Sequence, residues 1–455
     1  MNRTQFETIL HQKQPVHLIG IGGVSMRALA RMLKYLGANV QGSDRDASVY
    51  TEQLIEAGIT VFIGHRTENV FSAAQVIRTA AIPATNPEMI GAVMAGIPIL
   101  SRAEAWGLIM TYYQQVVCVA GTHGKTTTTA MIATFTQAAE LDPTVMVGGD
   151  LASIGGTLRI GHSPLFVAEA CEYRNSFLSF CPSLAVILNI DRDHLDFFKD
   201  TEDIIASFRK FALLTPENGT VLINGDDKNS RKAVEDLPRR IVTFGLSHQC
   251  DIHPEHIETK DGLYHCDVMA FGRLYCCMRL SVPGQHNLLN SMAAAAVAFE
   301  LGVDSESFAK GIQQYTGVGR RLEFKKVWRG ARIFDDYAHH PNEIKAALTA
   351  ARSLTEHRVI CVFQPHTYSR TASLLDEFAS ALSLADKTLL CPIYAAREVN
   401  TFGVSSEDLA KRMLGAECVP DFDHAAHRLE ELVQPGDLIF TMGAGNVYQI
   451  AELLN

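Results

Sequence analysis

QVVCVAGTHGKTTTT, residues 115–129, decides how the chain is read. An apolar, β-branched run (Val116, Val117, Val119) gives way to Gly121, and after Gly124 the residues Lys125, Thr126 and Thr127 open a helical pattern. Strand, glycine turn and helix in that order aim backbone N–H groups at one point, where they can cradle phosphates within reach of Lys125. The Thr126 hydroxyl would then face Mg²⁺. Val119 stands where G-x-x-x-x-G-K-[ST] has its first glycine, so the loop is a shortened version of that motif. Gly121, Thr122, His123, Gly124, Lys125, Thr126 and Thr127 are the expected nucleotide-phosphate binders.

Working outward, LFVAEAC (165–171), LAVILNI (184–190), TVLINGDD and RRIVTFG continue the series of buried strands. Two extended runs around Gly272 read as a hairpin, and HNLLNSMAAAAVAFELG reads as a helix. Upstream, VHLIGIG (16–22), NVQGSD (39–44), TVFIG (60–64), QVIRTAAI and IPILS alternate with helical stretches. A third alternation begins at Ala331 with ARIFDDYA, followed by a helix opened by Pro341, RVICVFQPH, one helix over 369–385, KTLLCPIY and DLIFTMGAGN. Such alternation predicts an α/β chain of parallel sheets with helical crossovers. A length of 455 residues suits about three domains, with boundaries expected at 1–112, 113–319 and 320–455.

Composition narrows the function classes. With 40 basic against 50 acidic residues the net charge is −10, which excludes a protein that coats nucleic acid. No apolar stretch approaches the roughly 18 residues needed to cross a bilayer, and the opening MNRTQFETIL lacks a signal-peptide core, so no membrane insertion is expected. Ten cysteines without a CxxC pair fit reduced, buried thiols in a cytoplasmic protein.

Four further constellations carry chemistry. Gly20, Gly22 and Gly23 end a strand and Asp44 ends the next, a placement that fits a nicotinamide cofactor, another diphosphate or a tight structural turn; Ser25 replaces the third glycine of the dinucleotide fingerprint. Glu169, Glu172, Asp191, Asp193 and His194 follow strands beside the phosphate loop, where carboxylates would hold Mg²⁺ and His194 either joins them or caps its loop. Asn287 and Asn290, at i and i+3, suit an adenine edge or ribose, or supply a helix N-cap. Arg320 and Arg321 precede Glu323 and either neutralise phosphate or form a solvated pair. Asp335 to Pro341, and Gln364 to His366 with Arg370 and Thr371, lie at strand ends and suggest a crevice.

GTHGKTTTT, EACE, NIDRDH, PGQHNLLN, GVGRRLE and DDYAHHPNE occur in an order and spacing that resembles the Mur ligase family over essentially the whole chain. HLIGIGGVSM with GSD, GHRTEN (64–69), FQPHTYSRT (363–371) and GAGN (443–446) resemble its alanine-adding branch. The resemblance implies an N-terminal Rossmann-like domain binding a UDP-sugar through Gly20, Gly22, Gly23, Ser43, Asp44 and His65. It implies a central P-loop ATPase domain and a C-terminal Rossmann-like domain that brings the amino acid. The implied reaction joins L-alanine to the lactyl carboxylate of UDP-N-acetylmuramate through an acyl phosphate in peptidoglycan precursor synthesis, with ATP and Mg²⁺ as cofactors, in a monomer or homodimer. Lys125, Glu169, His194, Arg321 and Asp336 would be catalytic, and Thr126, Glu169 and His194 would organise the magnesium. Asn287, Asn290 and Arg321 would take the rest of ATP, and Glu172, His339, His366, Arg370 and Thr371 the amino acid and sugar carboxylate. Cys171, Asp191, Ser25 and Arg27 depart from the family's commoner residues. Rival readings are a murein tripeptide ligase, a nicotinamide-dependent dehydrogenase and a P-loop switch protein.

Overall fold

The computed structural model describes residues 3–194, 197–396 and 398–454. The described residues form three sheets. In the first, five parallel strands run in the spatial order Thr60–Ile63, Asn39–Asp44, Pro15–Ile19, Gln75–Arg78, Ile99–Ser101. Chain order reverses beside Pro15–Ile19, the switch point at which sheets of this kind bind ligands, and there Gly20 to Gly23 lead into the helix Val24–Tyr35.

The second sheet has ten strands. Its central strand Gln115–Ala120 lies between Leu184–Ile187 and Leu165–Glu169, all parallel, and is buried from Val116 onward. Burial on both faces explains why its sequence is an unbroken apolar run rather than an alternation. The hairpin around Gly272 is present as Leu263–Ala270 and Arg273–Arg279, joined through Phe271 (φ 48) and Gly272 (φ 73). Two left-handed residues in succession give the turn that matches strand twist. The strand Ile252–Lys260, not anticipated from the sequence, extends this hairpin into a three-stranded antiparallel edge. Its charged second half is exposed, so no burial pattern marks it; the signal that could have found it is Asp261-Gly262, again two left-handed residues.

The third sheet has six strands, with Glu323–Trp328 antiparallel at one edge and Ala331–Asp336, Leu438–Met442, Val359–Phe363, Lys387–Leu390 and Glu417–Cys418 parallel beyond it. The helix expected over 369–385 is two, Tyr368–Ser373 and Leu375–Leu382, broken at Leu374 (φ −127, ψ 28). The break turns Leu374 into the core while Arg370 faces the middle sheet.

The first two sheets share one hydrophobic core. Trp106, on the helix Arg102–Met110, is fully buried against Phe166 at 5.9 Å. A Cβ on Gly107 would lie 1.9 Å from the Ser179 carbonyl oxygen, so only glycine permits this approach. The third sheet keeps cores of its own. Among the described residues no helix is long and apolar enough to cross a membrane.

Candidate functional site: a cleft between the middle and C-terminal units

The phosphate loop leaves its strand at Gly121 (φ 147) and enters the helix Lys125–Ala138 through Gly124 (φ 84). A Cβ at Gly124 would lie 2.6 Å from Asn290 Oδ1, so backbone conformation and space both demand glycine there. Asn189 pins the loop, accepting from the His123 N–H at 2.8 Å and donating to the His123 carbonyl at 3.1 Å. Lys125 Nζ donates to the carbonyls of Gly121 at 2.5 Å and Thr122 at 3.0 Å, and stands 3.0 Å from Glu172. Burial alone would lower the pKa of this ammonium, but the Glu172 carboxylate, together with Cys171 and Glu169, outweighs burial and holds it above the ordinary lysine value.

Thr126 donates its hydroxyl to Glu169 Oε2 at 2.9 Å, and the same oxygen accepts the Gly148 N–H at 2.8 Å. His194, at φ 55, stands elsewhere: its Nε2 is 3.6 Å from Glu172 and 3.9 Å from Asp193, with its ring on Tyr173 at 4.6 Å. The structure thus pairs Thr126 with Glu169, and Lys125 and His194 with Glu172. Asp191 and Asp193 face the C-terminal unit instead. Asp193 accepts from Arg370 Nη2 at 3.0 Å, and Asp191 accepts from the Asn342 amide.

The C-terminal unit closes over this loop. His123 lies 3.4 Å from Asp191 and 3.3 Å from Glu343. Burial would lower its pKa, yet the two carboxylates raise it to about 9. Asp336 accepts the N–H groups of Leu322 at 2.8 Å and Ala338 at 2.7 Å, and its pKa is pushed up to about 6 by burial, against the pull of Arg321. Burial lowers His339 to about 3 and His366 to about 4, with Arg370 adding to both, so both rings are neutral at pH 7. His366 stacks on Tyr394 at 5.6 Å. The Thr371 hydroxyl bonds back to the Thr367 carbonyl at 2.7 Å, within its own helix.

A cavity of about 240 Å³ runs from Gly124 and Thr127 under the C-terminal unit, with Asn287, Asn290, Tyr315 and Arg321 in its wall. Neither asparagine is the helix N-cap, which is Gly284. The basic pair splits: Arg321 lines the cavity 3.7 Å from Glu343, while Arg320 bonds Asp335 and the carbonyls of Gly443 and Gly445, fixing the final glycine turn.

In the first unit, Gly22 N–H donates to Asp44 Oδ2 at 2.8 Å, so the carboxylate closes the glycine loop. Ser43 and His65 converge on Glu88, at 2.5 Å and 3.0 Å from its Oε2, while Asn69 donates to Oε1 at 2.6 Å. Burial would raise the Glu88 pKa, but the hydrogen bonds of its neighbours His17, Ser43 and Asn69 hold it at about 2.

Sequence reading missed Glu88, Gly148, Tyr315, Asn342 and Glu343. Glu88 looks like any acidic residue in a first helical turn, and Glu343 likewise follows a helix-opening proline. Gly148 had a readable signal, a glycine pair inside an apolar strand, which often marks a close approach. Arg102 was also missed; burial lowers its pKa, opposed by Cys171 and Glu169, the latter the partner of Thr126.

Comparison with known proteins agrees with this architecture. Residues 15–114 match the Mur ligase family catalytic domain, 119–298 the Mur ligase middle domain, and 320–445 the Mur ligase glutamate ligase domain. A UDP-N-acetylmuramate--L-alanine ligase of Agathobacter rectalis is 45% identical over 458 residues, covering 99% of both chains. One from Acetivibrio thermocellus is 46% identical over 444 residues, 96% of this chain and 95% of the other. Among solved structures, the UDP-N-acetylmuramate-alanine ligase of Thermotoga maritima superposes with a TM-score of 0.80 at 28% identity, covering 97% of this chain and 98% of that one. A murein peptide ligase from Psychrobacter arcticus shares the fold, with a TM-score of 0.74 at 23% identity over 97% and 98% of the two chains. With its three units matched in order and its relatives aligned from end to end, the chain belongs to the Mur ligase family.

Proposed function

We propose that the protein joins L-alanine to the lactyl carboxylate of UDP-N-acetylmuramate, consuming ATP and releasing ADP and phosphate, in peptidoglycan precursor synthesis. The observation that carries this reading is the run of contacts that links Lys125, through Glu172, His194 and Asp193, to Arg370 and His366 of a separate unit, with the Thr126–Glu169 pair at the same phosphate loop. The end-to-end match to L-alanine ligases supports the choice of substrates. In this reading residues 1–112 hold the UDP-sugar, 113–319 ATP, and 320–455 the amino acid.

A carboxylate is a poor electrophile, so phosphoryl transfer from ATP to the lactyl oxygen must precede amide formation. Gly121 to Thr127 cradle the triphosphate, and Asn287, Asn290 and Arg321 hold the adenosine side in the cavity. Lys125 stabilises negative charge on the phosphoryl group as it transfers. Thr126 and Glu169 offer hard oxygen atoms suited to Mg²⁺, with His194 and Glu172 beside them. Bound magnesium supplies further neutralisation of that charge. Gly20, Gly22, Gly23, Ser43, Asp44 and His65 hold the UDP-sugar. With the rings of His339 and His366 neutral, Arg370, oriented by Asp193, is the cation offered to a substrate carboxylate, and Glu172 and Thr371 are assigned to the same region. Asp336 holds the turn that carries Arg321. The L-alanine amine attacks the acyl phosphate, and phosphate leaves. Because an acyl phosphate hydrolyses, the closed C-terminal unit serves to keep water out.

Phosphate release with ATP, Mg²⁺ and UDP-N-acetylmuramate, measured while the amino acid is varied, tests the reading. L-alanine should support turnover, with glycine slower by the roughly 1–3 kcal/mol of one methyl group. A higher kcat/KM with the L-Ala-γ-D-Glu-diaminopimelate tripeptide would replace it with the murein tripeptide ligase reading. Lys125→Ala should lower kcat by at least about a hundredfold in a folded protein; near-normal turnover removes Lys125 from the mechanism.

A further inference from the structure

At the far side of the middle sheet, the turn after Arg240–Phe244 and the start of Ile252–Lys260 bring together His248, His253 and Glu255, with ligating atoms all within 4.8 Å of one another. Three strands separate this place from the strand that feeds the phosphate loop. Glu255 Oε1 lies 3.7 Å from His248 Nδ1 and 3.5 Å from His253 Nε2. Zinc bonds of about 2.0–2.2 Å at tetrahedral angles place neighbouring ligand atoms about 3.3–3.6 Å apart. The two carboxylate–imidazole distances therefore already stand close to the edge lengths of such a site, and the two imidazoles offer nitrogens within 4.8 Å of each other.

The orientation of His253 adds a second observation. Its ring is buried, and Nδ1 lies 2.8 Å from the Cys250 carbonyl oxygen. A carbonyl only accepts, so Nδ1 carries the proton and Nε2, the atom facing Glu255, keeps its lone pair in the neutral ring. An imidazole held by a carbonyl on one nitrogen and presenting the other to a shared point is the arrangement of a metal-bound histidine. The His248 side chain is 75% exposed, which leaves an entry path and room for water as a fourth ligand.

The cluster His123, Asp191 and His340 in the cleft has comparable spacing but not the same chemistry. His340 accepts the Asn342 N–H on Nδ1 at 3.3 Å and donates Nε2–H to the Arg192 carbonyl at 3.2 Å, so neither nitrogen has a free lone pair. His123 is held charged between two carboxylates. That group is an ion-pair network.

We propose that His248, His253 and Glu255 form a binding site for a divalent transition metal, with Zn²⁺ as the ordinary occupant, clamping the 245–251 turn to the antiparallel edge. Magnesium, which takes near-octahedral oxygen ligands, does not suit two imidazoles, so this site is chemically separate from the Thr126–Glu169 pair.

The test is a Co²⁺ titration of the full chain, stripped with chelator and held in saturating Mg²⁺, followed by visible absorption. One equivalent should give d–d bands, displaced by Zn²⁺, without the near-ultraviolet thiolate-to-cobalt band that the exposed Cys277 or Cys418 would produce. His248→Ala and Glu255→Gln, both at partly or largely exposed side chains, should each weaken binding by at least about tenfold, while Lys125→Ala leaves it unchanged. Absence of d–d bands, a dominant thiolate band, or unchanged affinity in both variants overturns the proposal. The readout is a metal spectrum rather than turnover, so its failure is distinct from failure of the ligase reading.

Discussion

Where the first unit meets the middle one, Trp106 is buried edge-on against Phe166 and Gly107 lets two backbones touch; where the last unit meets the middle one, the contacts are Arg370 on Asp193, Asn342 on Asp191 and Glu343 on His123. The first junction is continuous with a hydrophobic core, so separating it would expose apolar surface and leave a close-packed helix without its neighbour. At the second, desolvation offsets much of the Coulomb attraction, and on opening each charged group regains water. The first two units are therefore joined by apolar packing, and the last is joined to the middle one by polar contacts that cost less to separate, with the residues proposed to react lying at this second junction.

The largest expected effect lies at the apolar junction. Trp106→Ala should cost about 3–5 kcal/mol of stability through lost contacts and the cavity left behind, measured by urea unfolding followed by circular dichroism. A loss below about 1 kcal/mol would mean that the two units do not share a core.

Arg370→Ala should act at the other junction. It leaves Asp193 buried without its cation in the closed form, and kcat/KM should fall by at least about tenfold, on the low side of the cost of breaking a buried pair. The urea midpoint should stay near that of the wild type, because the open form resolvates Asp193. If unfolding shifts as much as in Trp106→Ala, the contrast between the junctions is wrong.

The smallest effect is a pH dependence. His123 faces Asp191, Glu343 and His340, and its pKa in the closed form is raised from 6.5 to about 9. The stabilisation it gives to closure is fully present below about 6.5 and lost as pH rises through about 9. The alkaline limb of kcat/KM should follow that loss. In Glu343→Gln the limb should move to lower pH by about one unit; an unmoved limb would assign it to another group.

How much of this was legible depends on the range of the interactions. Lys125 and Thr126 were readable because strand, glycine turn and helix are contiguous, and Asp44 because it ends the neighbouring parallel strand. The hairpin at Gly272 was readable from its turn, whereas Ile252–Lys260 escaped because its exposed, charged second half carries no burial pattern. Asn287 and Asn290 were placed on one helix face, but only the fold shows that this face meets Gly124.

By itself the sequence determined the α/β class, the three successive strand-and-helix series, the phosphate loop and the acidic strand ends beside it, since each depends on residues a few positions apart or on adjacent strands. Tertiary structure alone decided that Glu172 rather than Glu169 holds Lys125, that Asp193 is spent on Arg370, that the Thr371 hydroxyl turns into its own helix, and that Glu88 is a buried anion among His17, Ser43 and His65. A carboxylate's role is set by which cation or N–H lies within about 3 Å of it, and here those partners come from up to 177 positions away along the chain.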